Sequence, residues 1–91
     1  MEKTKEEFIK ALELAGFSEV VTVTRDGNTG LGDHRHPFEA KALILEGTIS
    51  IECAGRVTHY EAGDVFHLAL NELHSESYGP QGVVYLVGRK S

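Results

Sequence analysis

The sequence predicts an all-β sandwich or barrel of antiparallel strands with one short α-helix at its N-terminus. From residue 19 onward, short segments rich in β-branched residues alternate with glycine-containing reversals at regular spacing. The first 16 residues instead combine a helix-start motif with apolar residues at helical spacing. A chain of 91 residues accommodates one domain, so we expect a single domain over residues 1–91.

The N-terminal helix is predicted over about residues 3–15. Thr4 and Glu7 have the Ser/Thr-x-x-Glu spacing of a capping box, in which each side chain accepts a backbone N–H of the other residue. Gly16 is the expected stop, since glycine readily adopts the left-handed conformation that closes many helices. The apolar residues at helical spacing are Phe8, Leu12 and Ala15. One short amphipathic helix is not stable alone, so it must pack against the sheet or a partner chain.

The barrel is predicted over about residues 18–88. Reversals separate its strand-like segments, and they include Glu46-Gly47 and the run 79–82. The segments are 20–24, 41–45, 48–52, 57–60, 65–68, 74–78 and 83–87. Their β-branched and aromatic residues, with glycines between them, are typical of antiparallel all-β domains.

The composition argues against two classes of partner. The formal net charge is −5 without a Lys/Arg-rich run, whereas nucleic-acid-binding domains carry clustered basic residues. No apolar run approaches the roughly 20 residues of a membrane-spanning helix. The single cysteine, Cys53, cannot form an internal disulfide, which is typical of proteins in the reducing cytoplasm. We therefore expect a cytoplasmic protein that binds neither nucleic acid nor membranes.

The candidate chemistry begins at His34 and His36, which are followed by Pro37. A proline pushes the preceding residue into the extended region of φ/ψ, so His36 should be extended. Side chains two residues apart in a strand point to the same face, which would place the two imidazoles side by side, as a metal site requires. Two exposed histidines on a loop would give the same pattern, so this motif alone leaves both interpretations open.

A second group of residues, 29 to 40 positions further on, strengthens the metal interpretation by resemblance. Gly63 and His74 resemble the second signature of the cupin family, which runs Gly, five residues, Pro, one residue, Gly, two residues, His. Ala69 stands where the proline usually is, and Asn71 stands where the second glycine is. Asparagine tolerates positive φ better than other non-glycine residues, so we expect the turn geometry to be preserved.

The earlier motif matches the first cupin signature, which runs Gly, five residues, His-x-His, three or four residues, Glu, six residues, Gly. His34, His36 and Gly47 occupy their positions, and Asn28 stands where the first glycine would be. The carboxylate ligand of the family would fall at position 40, where this chain has Ala40. The resemblance is therefore good for the histidines and incomplete for the carboxylate.

The resemblance spans residues 20–87 and implies a cupin double-stranded β-helix, or jelly roll. In such a barrel His34, His36 and His74 would line the mouth and hold a divalent transition metal, namely zinc, iron, nickel, manganese or copper. No organic cofactor is implied. Small cupins are commonly dimers, so the resemblance also implies a homodimer. The alternative is a barrel without metal, whose histidines line a pocket for an organic ligand.

Ala40 is the main departure from the family pattern. Glu39 is adjacent, but in a regular strand its side chain points away from His34 and His36 unless a β-bulge turns it inward. His67 is a further candidate for a fourth ligand or an acid–base partner, although we expect it on the outer face of the sheet. Three neutral ligands without a carboxylate would leave the metal site with about two positive charges, which favours an anionic co-ligand.

Three functions are compatible with these residues. The first is a metal-dependent enzyme of the dioxygenase, isomerase or lyase type, acting on a small substrate for which an anionic group is one option, with no catalytic residue assigned. The second is a non-catalytic sensor or accessory module that binds a small molecule or a metal. The third is a structural or interaction protein that retains only the barrel. We expect a small metal-binding cupin, with the enzyme and the sensor both left open.

Overall fold

The computed structural model describes residues 4–91 of the chain. These residues form one helix and six strands, and the strands pair antiparallel. The elements are α1 (Lys5–Leu14), β1 (Glu19–Arg25), β2 (Gly30–His34), β3 (Glu39–Cys53), β4 (Arg56–Glu61), β5 (Val65–Leu68) and β6 (His74–Lys90). The predicted all-β fold with one N-terminal helix is confirmed.

The two long strands, β3 and β6, pair with each other and divide the sheet into two halves. The first half, called here the helix half, contains β1, the C-terminal part of β6, the N-terminal part of β3, and β5. The second, called the open half, contains β2, the N-terminal part of β6, the C-terminal part of β3, and β4. Buried side chains from both halves form one core, so the halves face each other as in a jelly roll.

Two of the predicted reversals are instead irregularities within continuous strands. β3 runs through Glu46-Gly47, and β6 runs through residues 79–82. At Gly47 φ is 76°, and an added Cβ would lie 2.0 Å from the carbonyl oxygen of Gly82, so only glycine fits between these strands. Sequence patterns cannot separate a reversal from a bulge here, since both use glycine in the left-handed conformation.

The helix α1 forms close to the predicted bounds. Thr4 and Glu7 make the predicted capping box, in which the Glu7 N–H donates to Thr4 Oγ1 at 3.2 Å. The helix ends at Leu14 rather than Ala15, and Gly16 follows with a φ of 88°. Of the predicted start, Lys3 lies outside the described residues. No helix within residues 4–91 is long and apolar enough to cross a membrane.

The helix covers the outer face of the helix half. Its buried residues pack with residues of β3 and β6 in a second apolar cluster, which contains Phe8, Leu12, Phe17, Leu43 and Leu86. Ala15, expected on this apolar face, is exposed because it caps the helix. The helix half is therefore buried on both faces, and its inner face forms one wall of the cleft described below.

Candidate metal centre

The three predicted histidines meet at one end of the barrel, together with a fourth residue, Glu76. One potential ligand atom of each residue lies within 4.8 Å of those of the others. We call His34, His36, His74 and Glu76 the histidine cluster. The His34 ring centroid lies 4.2 Å from that of His74 and 4.9 Å from that of His36.

Strand register explains this convergence. His34 is the last residue of β2 and lies directly opposite His74, the first residue of β6. Directly opposed residues of antiparallel strands share a face, so the two imidazoles are neighbours. His36 lies just beyond the end of β2, in the connection to β3, and still points to the same site.

Glu76 brings a carboxylate to the cluster from another position than the cupin signature does. In that signature the carboxylate ligand falls at position 40, where this chain has Ala40. Glu76 follows His74 by two residues in β6, so both side chains share one face. Its Oε2 atom lies 3.0 Å from Nε2 of His74 and 3.2 Å from Nε2 of His34, and its side chain is 6% exposed. The structure therefore places a carboxylate beside the three predicted histidines, where the sequence leads us to expect none. The spacing His74-x-Glu76 points to this residue only once His74 has been assigned to the site and to a strand.

Backbone carbonyls fix the tautomers of two of the histidines. Nδ1 of His34 lies 2.7 Å from the carbonyl oxygen of Gly32, and Nδ1 of His74 lies 3.0 Å from that of Glu72. A carbonyl oxygen can only accept, so each Nδ1 carries hydrogen and donates it. In a neutral imidazole this leaves Nε2 without hydrogen, with its lone pair directed into the cluster.

When its imidazoles are neutral, the cluster therefore gathers acceptor atoms without a donor between them, whereas a protonated His74 would donate from Nε2 to Glu76 Oε2. Nε2 of His34 is buried and has no hydrogen-bond partner within residues 4–91, although Glu76 Oε2 is 3.2 Å away. Two lone pairs and a carboxylate oxygen at this separation repel one another unless a cation lies among them. Ligands bound to a transition metal at about 2.0–2.1 Å are separated by roughly 3.0–3.4 Å, in keeping with the 3.0 and 3.2 Å between Glu76 Oε2 and the Nε2 atoms of His74 and His34. The donor set thus fits a divalent transition metal.

Tyr78 orients the carboxylate of Glu76. Its hydroxyl donates to Glu76 Oε1 at 2.9 Å, which leaves Oε2 facing the two histidines. Burial, together with the nearby carboxylate, raises the pKa of Tyr78, so the hydroxyl keeps its proton and remains a donor. Tyr78 is buried, and its hydroxyl supports Glu76 in the way that outer residues orient metal ligands.

The turn before β6 holds His36 in place. The Asn71 N–H donates to the carbonyl oxygen of His36 at 2.9 Å, and Asn71 has a φ of 59°, as predicted for a residue in a glycine position. The Ala69 N–H donates to Glu72 Oε1 at 2.8 Å, a bond that proline cannot make. Burial, and then the neighbouring histidines, lower the pKa of His36 from its ordinary value of 6.5, which favours the neutral form needed in a ligand.

The other candidate ligands lie outside the cluster. His67 is paired with Glu39, and their side chains are 52% and 32% exposed. Both lie beside Lys90 and Phe17 on the outer face of the helix half, as expected for a regular strand. Ala40, the next residue, is buried in the cleft beside the cluster, so position 40 faces the site and carries no carboxylate there.

A cleft lies between the two halves of the barrel, next to the histidine cluster. Its cavity volume is about 60 Å³, which is well below the ~300–1,000 Å³ typical of sites for drug-sized ligands. Most of its walls are apolar, and they include Phe38 and Phe66. Arg25, Tyr85 and Arg89 line the helix half of the cleft, opposite the cluster residues of the open half.

No protein-family model and no curated protein matches the sequence. Solved structures are similar in fold at low identity. An RmlC-like cupin from Shewanella frigidimarina superposes with a TM-score of 0.67 at 18% identity, covering 79% of this chain and 65% of that one. A double-stranded β-helix protein from Klebsiella pneumoniae gives 0.67 at 22% identity, covering 78% and 64%.

A third similar structure is an enzyme. The DMSP lyase DddQ from Ruegeria pomeroyi gives a TM-score of 0.71 at 19% identity, covering 79% of this chain. This chain spans only 37% of that lyase, and slightly less than two thirds of the two proteins above. At these identities the similarity concerns the fold alone. The chain thus has the double-stranded β-helix fold of the cupins, as the histidine and glycine signatures predict.

Proposed function

We propose that the protein binds one divalent transition metal through His34, His36, His74 and Glu76. The observation that carries this proposal is the meeting of two Nε2 atoms with a carboxylate oxygen, while both Nδ1 atoms donate elsewhere. Imidazole ligands whose second nitrogen is bound to a backbone carbonyl are common in metal sites, because the bond fixes the ring orientation and the tautomer.

We further propose that the bound metal makes the protein an enzyme of the lyase, isomerase or dioxygenase type. A bound divalent metal supplies Lewis-acid polarisation of a substrate oxygen. The chain supplies a small cleft beside it, in which apolar residues such as Phe66 and Leu68 exclude water. Burial raises the pKa of Tyr85 in this cleft to about 12, so its hydroxyl acts as a hydrogen-bond donor at neutral pH and not as a base. The likeness to a lyase of the same fold supports this assignment.

Two measurements test these proposals in turn. Protein purified without a metal-affinity tag should contain about one transition metal per chain by elemental analysis. Metal-loaded and chelator-treated protein should then be compared for turnover and dioxygen consumption over a panel of small organic acids. Turnover that disappears with the chelator and returns with the metal supports the enzyme. Metal binding without any turnover would instead favour a sensor or accessory module.

We also propose that the protein is a cytoplasmic homodimer. Cys53 is a free thiol, which suits a reducing compartment. The strands β1 and β4 lie at the two ends of the strand order β1-β6-β3-β4 and are therefore edge strands. The unpaired backbone groups of an edge strand favour pairing with, or cover by, another chain. Light scattering at micromolar concentration should give twice the chain mass of 10.0 kDa, and a monomer mass would contradict the dimer.

A further inference from the structure

The wall of the cleft opposite the histidine cluster carries two arginines. Arg25 ends β1, and Arg89 lies near the end of β6, so both belong to the helix half. Arg25 is also close enough to the buried Tyr85 for its positive charge to oppose the rise in the pKa of that hydroxyl. The chain as a whole has a formal charge of −5. Two cationic groups therefore line one small cleft in a protein whose overall charge is negative.

The guanidinium of Arg89 has hydrogen-bonding capacity to spare. Its Nε atom is buried without a hydrogen-bond partner in the described part of the chain. Its one ion pair, with Glu19, is long at 3.4 Å, and the Glu19 side chain is 61% exposed. A contact of this kind contributes little, because water screens it. A buried donor without a partner is unfavourable, so this atom favours a ligand that accepts a hydrogen bond.

Phe38 places this arginine close to the cluster. Its ring stacks on His36 with 4.9 Å between centroids, and the Arg89 guanidinium lies 5.0 Å from the same ring. The guanidinium is therefore no more than about 10 Å from the His36 ring. A ligand that contacts both groups therefore needs no more than a few carbon atoms.

Ala40 leaves space beside Arg89. The two residues are directly opposite each other in the pairing of β3 with β6, and both line the cleft. A methyl side chain offers no acceptor to the guanidinium, whereas a carboxylate at this position would neutralise it. The sequence departure at position 40 thus keeps the arginine available.

We propose that the cleft binds a small organic carboxylate, with its charged group bound by Arg89, its other end at the histidine cluster, and Arg25 adding to the positive potential of the cleft. This inference rests on the proposed function only in assigning a metal to that other end. The cavity of about 60 Å³ limits the ligand to a few carbon atoms. The apolar residues between the two ends, such as Phe66 and Val87, suit a short hydrocarbon segment.

Calorimetric titration of glycolate and of its neutral analogue glycolamide tests the proposal. Both are titrated into zinc-loaded wild type and into the variants Arg89→Gln, Arg25→Gln and Ala40→Glu. The matched control is Arg56→Gln, since Arg56 is exposed at the start of β4 in the open half. Zinc affinity is measured for every variant, and chelator-treated wild type is titrated in parallel.

Wild type should bind glycolate roughly tenfold more tightly than glycolamide, or better, because charge-assisted hydrogen bonds to a carboxylate are stronger than neutral ones. Arg89→Gln should remove that preference while zinc affinity changes by less than about twofold, since the arginine is not in the histidine cluster. Ala40→Glu should also weaken glycolate, because its carboxylate would occupy the guanidinium. Arg56→Gln should behave as wild type.

Equal binding of glycolate and glycolamide would overturn the proposal. So would a glycolate preference that survives in Arg89→Gln, since the zinc ion alone would then explain it, and the metal proposal would stand. If Arg89→Gln does not fold, an unchanged preference in both Arg25→Gln and Ala40→Glu overturns the proposal instead. If the chelator-treated protein takes up no added zinc but still prefers glycolate, the anion site is supported and the metal site is refuted.

Discussion

Imidazole–carboxylate contacts occur on both faces of the sheet, and they differ in their surroundings. In the histidine cluster, Glu76 is 6% exposed and lies against two imidazoles, with a third beside them. On the outer face of the helix half, Glu39 meets only His67, and both side chains are partly in water. The residue types are the same in the two places, while burial and the number of converging atoms are not.

The difference shows what a metal site needs beyond suitable residues. The outer pair can satisfy itself with one proton and with water, so it has no need of a metal. In the cluster, backbone carbonyls accept hydrogen bonds from Nδ1 of His34 and of His74. The Tyr78 hydroxyl donates a hydrogen bond to one oxygen of Glu76. The remaining acceptors face one another in a site with little water, where an uncompensated carboxylate is unfavourable.

The largest expected effect is the loss of a ligand from the cluster. His74→Ala should weaken zinc binding by more than about 100-fold, because even outer residues that orient a ligand contribute about 10–100-fold. His67→Ala should leave zinc affinity unchanged. Competition titration with a chromogenic chelator measures both variants, and circular dichroism checks that they are folded. Full zinc occupancy in His74→Ala would refute the assignment of His74, the histidine of the second cupin signature, as a metal ligand.

The next effect distinguishes the two carboxylates. Glu76→Gln keeps the size of the side chain but removes its charge, so zinc affinity should fall by about 10–100-fold. Glu39→Gln is the matched control on the outer face and should have no effect. Equal zinc affinities in the two variants would mean that Glu76 does not contact the metal and that the site has neutral ligands only.

Acid should weaken metal binding at the cluster. A protonated imidazole cannot bind a metal, so affinity is fully present above the histidine range and is lost as pH falls through it, by about tenfold per pH unit for each displaced proton. Because burial and neighbouring histidines lower the pKa of His36, this residue keeps its ligand form below 6.5. Zinc titrations between pH 5 and 8 measure the profile, and His67→Ala should not change it. An affinity independent of pH would exclude histidine ligands.

The smallest effect concerns the support of Glu76. Tyr78→Phe removes the hydroxyl that donates to Oε1, so zinc affinity should fall by about tenfold or less. Tyr60→Phe is a suitable control, since Tyr60 packs against the core from β4 and lies outside the cluster. Chelator competition resolves a change of this size. A loss in Tyr78→Phe as large as that in His74→Ala would indicate that the tyrosine itself is a ligand or is required for folding.

The sequence predicts those parts of the site that depend on local spacing. His34 and His36 come together as their spacing of two predicts, although His36 lies just beyond β2, and the turn at Asn71 donates a hydrogen bond to the carbonyl oxygen of His36. Glu76 obeys the same period, but a single Glu-x spacing in a polar strand carries no signal without the cross-strand register. Arg25 and Arg89 are 64 residues apart, and only the folding of β1 and β6 into the same half brings them to one cleft. Long-range register of this kind cannot be derived from one sequence.

X-ray absorption at the zinc edge of the loaded protein tests the central claim most directly, because it reports the atoms bound to the metal. We expect a first shell of nitrogen and oxygen at about 2.0–2.1 Å, with the outer-shell scattering of three imidazoles. In Glu76→Gln the three imidazoles should remain while the oxygen contribution changes. A spectrum with one imidazole or none would contradict the assignment of His34, His36 and His74 as a metal centre.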